Sequence, residues 1–186
     1  MSNTSNVTFG KPKVGGAVYV APAGTALPTD ATTTPDNAFQ SLGYISDDGM
    51  VNTNSPETDD IKAWGGDVVA VLQTEKADEF KFTLIEALDV NVLKAVYGDS
   101  NVSGTLSTGI TVRANSTDIP ATEWVIDMIL AGGVLKRIVI PNGKISEIGD
   151  ITYKDDELTG YEITIKAMPG DSAFGYDTHK EYIKSA

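Results

Sequence analysis

The sequence predicts a mainly β protein: a β-sandwich or barrel with one short α-helix, one long loop and extended arms at both termini. Three observations predict it. Apolar and polar residues alternate in about seven to nine short runs. Gly, Pro, Asn and Asp punctuate those runs at short spacing, and helical spacing occurs in a single stretch. No internal repeat or heptad is evident, and the chain divides into an N-terminal arm (1–13), one β domain (14–170) and a C-terminal arm (171–186).

The elements follow in order. Residues 1–13 are polar and uncapped and read as an arm that is mobile in the isolated subunit. "GAVYVAPAG" is a first strand ended by Pro22 and Gly24, "TALPTDATTTPDN" an exposed loop, and "FQSLGYI" a second strand closed by a turn at "SDDG". Residues 47–66, "DDGMVNTNSPETDDIKAWGG", read as a long acidic loop carrying Met50, Val51, Ile61 and Trp64. Two strands are expected next, at 67–74 and 78–87, joined by a tight charged turn at 75–77. In the first, Val68, Val69, Ala70, Val71 and Leu72 form an unbroken apolar run, so both of its faces need cover. In the second, Phe80, Phe82 and Leu84 share a face opposite Lys81 and Thr83.

Asp89 then caps a helix in which Val92, Leu93, Val96 and Tyr97 make an apolar stripe and Gly98 supplies the stop. A helix this short is unstable alone and must lie against the sheet. "SNVSGTLSTG" reads as a polar loop and "ITVRANS" as a short strand. "EWVIDMIL" places Trp124, Ile126, Met128 and Leu130 on one face. "AGG" at 131–133 is a hairpin turn, and "GGVLKRIVIPNGKISEIGDITY" supplies two strands around a "PNG" turn. Tyr161, Ile163, Ile165 and Ala167 alternate with Glu162, Thr164 and Lys166 in the last strand. The tail beyond it has no period and reads as an extended arm.

Composition narrows the function. The 186 residues, 41% hydrophobic and 22% charged, suffice for one domain with a real core. No run approaches the ~20 apolar residues of a membrane span, and the N-terminus lacks the apolar segment of a secretory signal, so neither a membrane partner nor export is expected. The absence of cysteine removes disulfides, thiol nucleophiles and thiolate metal sites. Twenty-six acidic against 14 basic residues give a net charge of −12, which opposes any surface that grips nucleic acid through its phosphates.

Catalytic chemistry has few candidates. The single histidine, His179, falls in the aperiodic tail and reads as a surface residue. The pairs Asp47 and Asp48, Asp59 and Asp60, and Asp155 and Asp156 lie in polar turns, where solvated charge is the ordinary state. "DDELTG" lacks the ligand alternation and terminal bidentate glutamate of a calcium loop, and no phosphate-binding glycine loop or HExxH occurs. No catalytic residue, cofactor or metal is expected.

Between residues 49 and 98 the chain resembles the tail tube proteins, or major tail proteins, of long-tailed bacteriophages. The matching pieces are "DDGMVNTNSPETDDIKAWGG", "VVAVLQTEKADEFKFTLIE" with Glu86 at the strand end, and "ALDVNVLKAVYG"; "VLKRIVIPNGKISEIGDITYKDDELTGYEITIKAMPG" is similar to the family's final sheet. The resemblance covers most of residues 14–170. It implies a structural virion protein, made in the host bacterial cytoplasm, that joins copies of itself in rings of six. The inner strands of each ring line a channel, and stacked rings form the tube through which DNA is ejected without being bound specifically.

It also implies tail tip, tape-measure and tail terminator proteins as partners. On this reading Met50, Val51, Ile61, Trp64, Val69 and Val71 form the contacts between subunits or rings, and an acidic lining keeps DNA from sticking. Simple solubility is the other reading of the acidity, and a loop in which Trp64 folds back on its own domain is the other reading of 47–66. The rival functions are the inner tube of a contractile tail or related secretion system and, from another class, a monomeric β-sandwich binding module presenting exposed aromatics.

Overall fold

The computed structural model describes residues 2–13 and 16–185. It is mainly β, with one large antiparallel sheet, one small sheet and one helix. The strands are β1 (Gly10–Pro12), β2 (Val18–Pro22), β3 (Gln40–Ser41), β4 (Ile45–Lys62), β5 (Val68–Leu84), β6 (Val102–Thr105), β7 (Gly109–Val112), β8 (Thr122–Leu130), β9 (Leu135–Ile148), β10 (Tyr161–Ala167) and β11 (Lys180–Lys184); the helix α1 is Val90–Tyr97. The large sheet runs β3-β2-β8-β9-β10-β5-β4, with β1 added to β8 and β11 to β9; β6 and β7 pair separately. Its end strands, β3 and β4, do not pair with each other, so the sheet is not a closed barrel.

Alternation assigns the two faces. Trp124, Ile126, Ile138, Ile140, Phe80, Phe82, Leu84, Ile163 and Ile165 join one core beneath α1, while Val125 and Val139 point the other way, toward Phe39 and Phe174. The helix forms as its spacing requires: Asp89 accepts a hydrogen bond from the Asn91 amide at 2.7 Å, and Val92, Leu93 and Val96 are buried against the sheet. Gly98 ends it with φ +91°, a conformation that side-chain-bearing residues disfavour. Gly143 has a different reason: a Cβ there would lie 2.6 Å from the Trp124 indole, which itself donates to the Gly143 carbonyl at 3.3 Å.

The second face is covered by chain without regular structure. Arg137, fully buried, donates two hydrogen bonds to Asp127, at 2.6 and 2.8 Å. Its Nη1 donates to the carbonyls of Asp30 and Thr33, at 3.0 and 2.6 Å, pinning the loop expected between β2 and β3. Each nitrogen of the guanidinium is thus hydrogen-bonded, which is the condition under which a buried ion pair is tolerated.

Several expectations require correction. Residues 47–66 are not a loop but most of β4 and the tip of a hairpin, and 67–87 is not two strands but the single strand β5, without a turn at 75–77. "PNG" does not turn the chain: β9 runs through it, with Pro141 inside the irregularity between the Trp124–Ile140 and Thr122–Gly143 pairs, where a missing N–H is harmless. The polar loop after α1 contains the strand β6, which pairs with β7 at the start of the strand expected in "ITVRANS". The second strand shrinks to two residues, Gln40–Ser41. Both arms are anchored, β1 along β8 and β11 along β9.

Two substitutions test this packing. Val96→Asp places a charge under the sheet and is expected to remove about 3–5 kcal/mol in urea denaturation; an unchanged midpoint would contradict the burial of the helix. Asp127→Ala leaves Arg137 buried without its counter-ion and is expected to lose about 3–5 kcal/mol, whereas a loss under about 1 kcal/mol would show that water reaches the guanidinium.

Candidate assembly interface

The candidate site is the hairpin β4–β5. Near its root β5 is an ordinary core strand, held by β10 from the Tyr161–Leu84 pair to the Lys166–Glu79 pair. Beyond Glu79 that neighbour ends, and β4 and β5 continue alone to the Lys62–Val68 pair. This two-stranded ribbon reaches about 30 Å past the body of the sheet at ~3.3 Å per residue. Its tip is closed by hydrogen bonds from the Ala63 amide to the Asp67 carbonyl and from the Gly66 amide to the Ala63 carbonyl, at 2.8 and 3.0 Å.

The ribbon satisfies its backbone but not its side chains. By pairing, Ala70 and Leu72 share a face with Ile61, the cross-strand partner of Ala70, while Val71 occupies the opposite face; the register shift between Ile61 and Lys62 breaks the alternation at Val68 and Val69. Both faces are open: Val69 is 62% and Val71 59% exposed, and Val68, Leu72 and Ile61 are exposed as well. Trp64 stands fully exposed at the tip and does not fold back on its own domain. The apolar run therefore needs cover on two sides, as its sequence implies, and receives it on neither within one subunit.

The six residues expected at the interface do not form a single patch. Ile61, Trp64, Val69 and Val71 lie on the outer ribbon. Val51 is exposed near the root opposite Lys81, and Met50 turns inward beside Phe82 and packs against the core. Val68 and Leu72 belong with the outer group; the unbroken run 68–72 is the signal that would have included them.

The outer edge of β4 has no strand partner among the described residues. Pro56 and a row of charges, Glu57, Asp59, Asp60 and Lys62, lie along it, features that discourage indiscriminate pairing. Glu57 also stands directly opposite Glu75, a repulsive cross-strand pair eased by Lys166, whose ammonium lies 3.4 Å from Glu75.

A polar cluster at the root was not foreseen. Asp78, 1% exposed, sits where β10 gives out. Its carboxylate accepts hydrogen bonds from Asn52 Nδ2 at 2.9 Å and Thr178 Oγ1 at 2.5 Å, and lies 2.6 Å from His179 Nδ1. His179 is thus not a free surface residue; its ring also meets Phe80 edge-on at 5.2 Å. Burial raises the Asp78 pKa, but the hydrogen bonds from Thr178, Asn52 and His179 and the histidine's charge outweigh it and hold the carboxyl below its ordinary value. The group therefore contributes stability that is present at neutral pH and is lost as pH falls through the lowered folded-state value.

Among the described residues no three or more His, Asp or Glu side chains converge to hold a metal ion. What the hairpin offers is apolar area, a free strand edge and one large aromatic anchor, the elements of a protein–protein contact.

Comparison with known families agrees with this geometry. A family model described as phage tail tube protein matches residues 3–177. No curated protein matches the chain. The match spans α1, the whole hairpin and every strand of the large sheet except β11, and the chain belongs to the phage tail tube protein family, a structural component of the phage tail that assembles with itself and with other tail proteins.

Proposed function

We propose that the β4–β5 ribbon is the polymerisation element, through which six copies close into a ring and rings stack into a tube that conducts DNA during ejection. One observation carries this reading: a ribbon about 30 Å long with uncovered apolar side chains on both faces. A two-stranded ribbon is at best marginally stable in water by itself. Cover from neighbouring subunits removes that weakness, and the gain is the driving force for assembly. Ile61 and Leu72 meet one neighbour, Val71 another, Val68 and Val69 add apolar area at the bulge near the tip, and Trp64 anchors the tip.

A contact between two different surfaces of the same chain closes into a ring if its rotation closes and extends into a filament if it does not. A projecting ribbon received by a different part of the next subunit is such a contact, and two apolar faces supply two of them. The net charge of −12 supports a channel that repels phosphates and lets DNA slide. The tail tip complex initiates the tube, a tape-measure protein sets its length, a terminator protein closes it, and assembly takes place in the host cytoplasm. The rival binding module is disfavoured because Trp124, which it would present to a ligand, is 1% exposed beneath the helix.

Negative-stain electron microscopy with sedimentation over a concentration series tests the proposal. Rings or hollow tubes are expected, with purified tail tip complex added as initiator if needed; a monomer at every concentration with the initiator present would overturn it. The double substitution Val69→Asp with Val71→Asp separates assembly from folding. Because both side chains are exposed in the subunit, its stability is expected to change by only about 0.5 kcal/mol per site, while tube formation is abolished. Tubes of normal yield from this variant would remove the ribbon's apolar faces from the interface.

A further inference from the structure

The root cluster carries an inference about how the ribbon is held. Asp78 occupies the one position on β5 where the third strand has ended and the ribbon has begun, between the Glu79–Lys166 pair and the free length beyond. A two-stranded ribbon twists and swings more readily than a sheet, so its direction is set where it leaves the body. Two chain segments converge there on the carboxylate carried by β5. Asn52 reaches it from β4 and also donates to the Glu79 carbonyl at 3.1 Å. Thr178 and His179 reach it from the C-terminal segment, about 100 positions away in the chain.

That segment is fixed immediately afterwards. From Lys180 to Lys184 it forms β11, paired with β9 along residues 135–139, and Lys136 reinforces the pairing by an ion pair to Glu181 at 2.8 Å. At the start of the strand, Lys180 also sits over the Phe174 ring at 4.3 Å, tying the preceding turn to the second core. The C-terminal segment therefore spans from the middle of the sheet to the root of the ribbon and ends there in two donors aimed at a buried acceptor.

We propose that residues 178–184 are a strap whose Thr178 and His179 catch Asp78 and hold the ribbon at the angle from which it assembles, so that the state of the strap governs assembly competence. The proposal rests on the reading of the ribbon as the polymerisation element. With the catch closed, the ribbon is preorganised and the entropy of aligning it is spent on folding rather than on association. With the catch open, the backbone ladder survives but its root frays, and the apolar faces are presented over a range of directions.

The test uses the full-length subunit carrying Thr178→Val and His179→Phe, which remove both donors while keeping bulk and the edge-on contact with Phe80. Hydrogen exchange is measured on the isolated subunit at the ribbon root, residues 53–58 and 73–79, with the β9–β11 ladder at 135–139 as an internal reference. The expected result is exchange at least tenfold faster at the root, an unchanged reference, and a critical concentration for tube formation raised at least tenfold. Root exchange equal to the parent's would overturn the catch. Faster root exchange with an unchanged critical concentration would overturn its control of assembly.

If the double variant does not fold, Asn52→Ala opens the same catch from the β4 side and is held to the same results. Because the exchange is read on single subunits, the catch is judged separately from the ribbon's role. Normal assembly by the Val69→Asp, Val71→Asp variant would refute the polymerisation reading while leaving the exchange result intact.

Discussion

The structure depends on the continuity of strand β5. A ladder with β4, interrupted by three register shifts, carries it from Leu84, buried under α1, to Val68, exposed to water. At the inner end Phe80, Phe82 and Leu84 bury fully and anchor the hairpin in the core, each worth about 1.5–3 kcal/mol relative to exposure. At the outer end the same backbone pairing continues with no third strand and no core. The domain thus supplies the stability that the ribbon lacks, and the ribbon presents apolar area that the domain does not use.

This division accounts for features that otherwise look unrelated. The second face of the sheet needs no second regular layer because Arg137 ties the 30–33 loop across it, and Phe174 and Tyr182 of the C-terminal segment pack there with Phe39, Val125 and Val139. The free edge of β4 is long, yet Pro56 and its acidic residues limit the partners it accepts. At the junction Asp78, a buried polar side chain, joins β4, β5 and the C-terminal segment.

Sequence reading recovered the parts of the fold in which burial imposes a period. The helix, its Asp89 cap and its buried stripe are as the spacing predicts, and so are the alternation in β10 and the turn at 131–133. It failed where burial is absent. The segment 47–66 reads as a loop because a strand exposed on both faces needs no alternation of polar and apolar residues, and its regularity comes from backbone pairing with β5. The charged residues 75–77 read as a turn for the same reason, although the strand passes straight through them.

Pro141 misled in another way, since a bulge lets a strand keep a proline that normally ends it. Of the interface, the apolar run and Trp64 were legible. The cluster of Asn52, Asp78, Thr178 and His179 was not, because it joins residues about 100 positions apart and only topology brings them together.

The central claim is that the ribbon is uncovered in the subunit and covered in the tube. Hydroxyl-radical footprinting of the same preparation before and after polymerisation measures this directly, side chain by side chain. The account predicts strong labelling of Trp64 and of Val68 through Leu72 in the subunit and protection of both groups in the tube. Equal labelling in the two states, with protection appearing elsewhere on the domain, would contradict it.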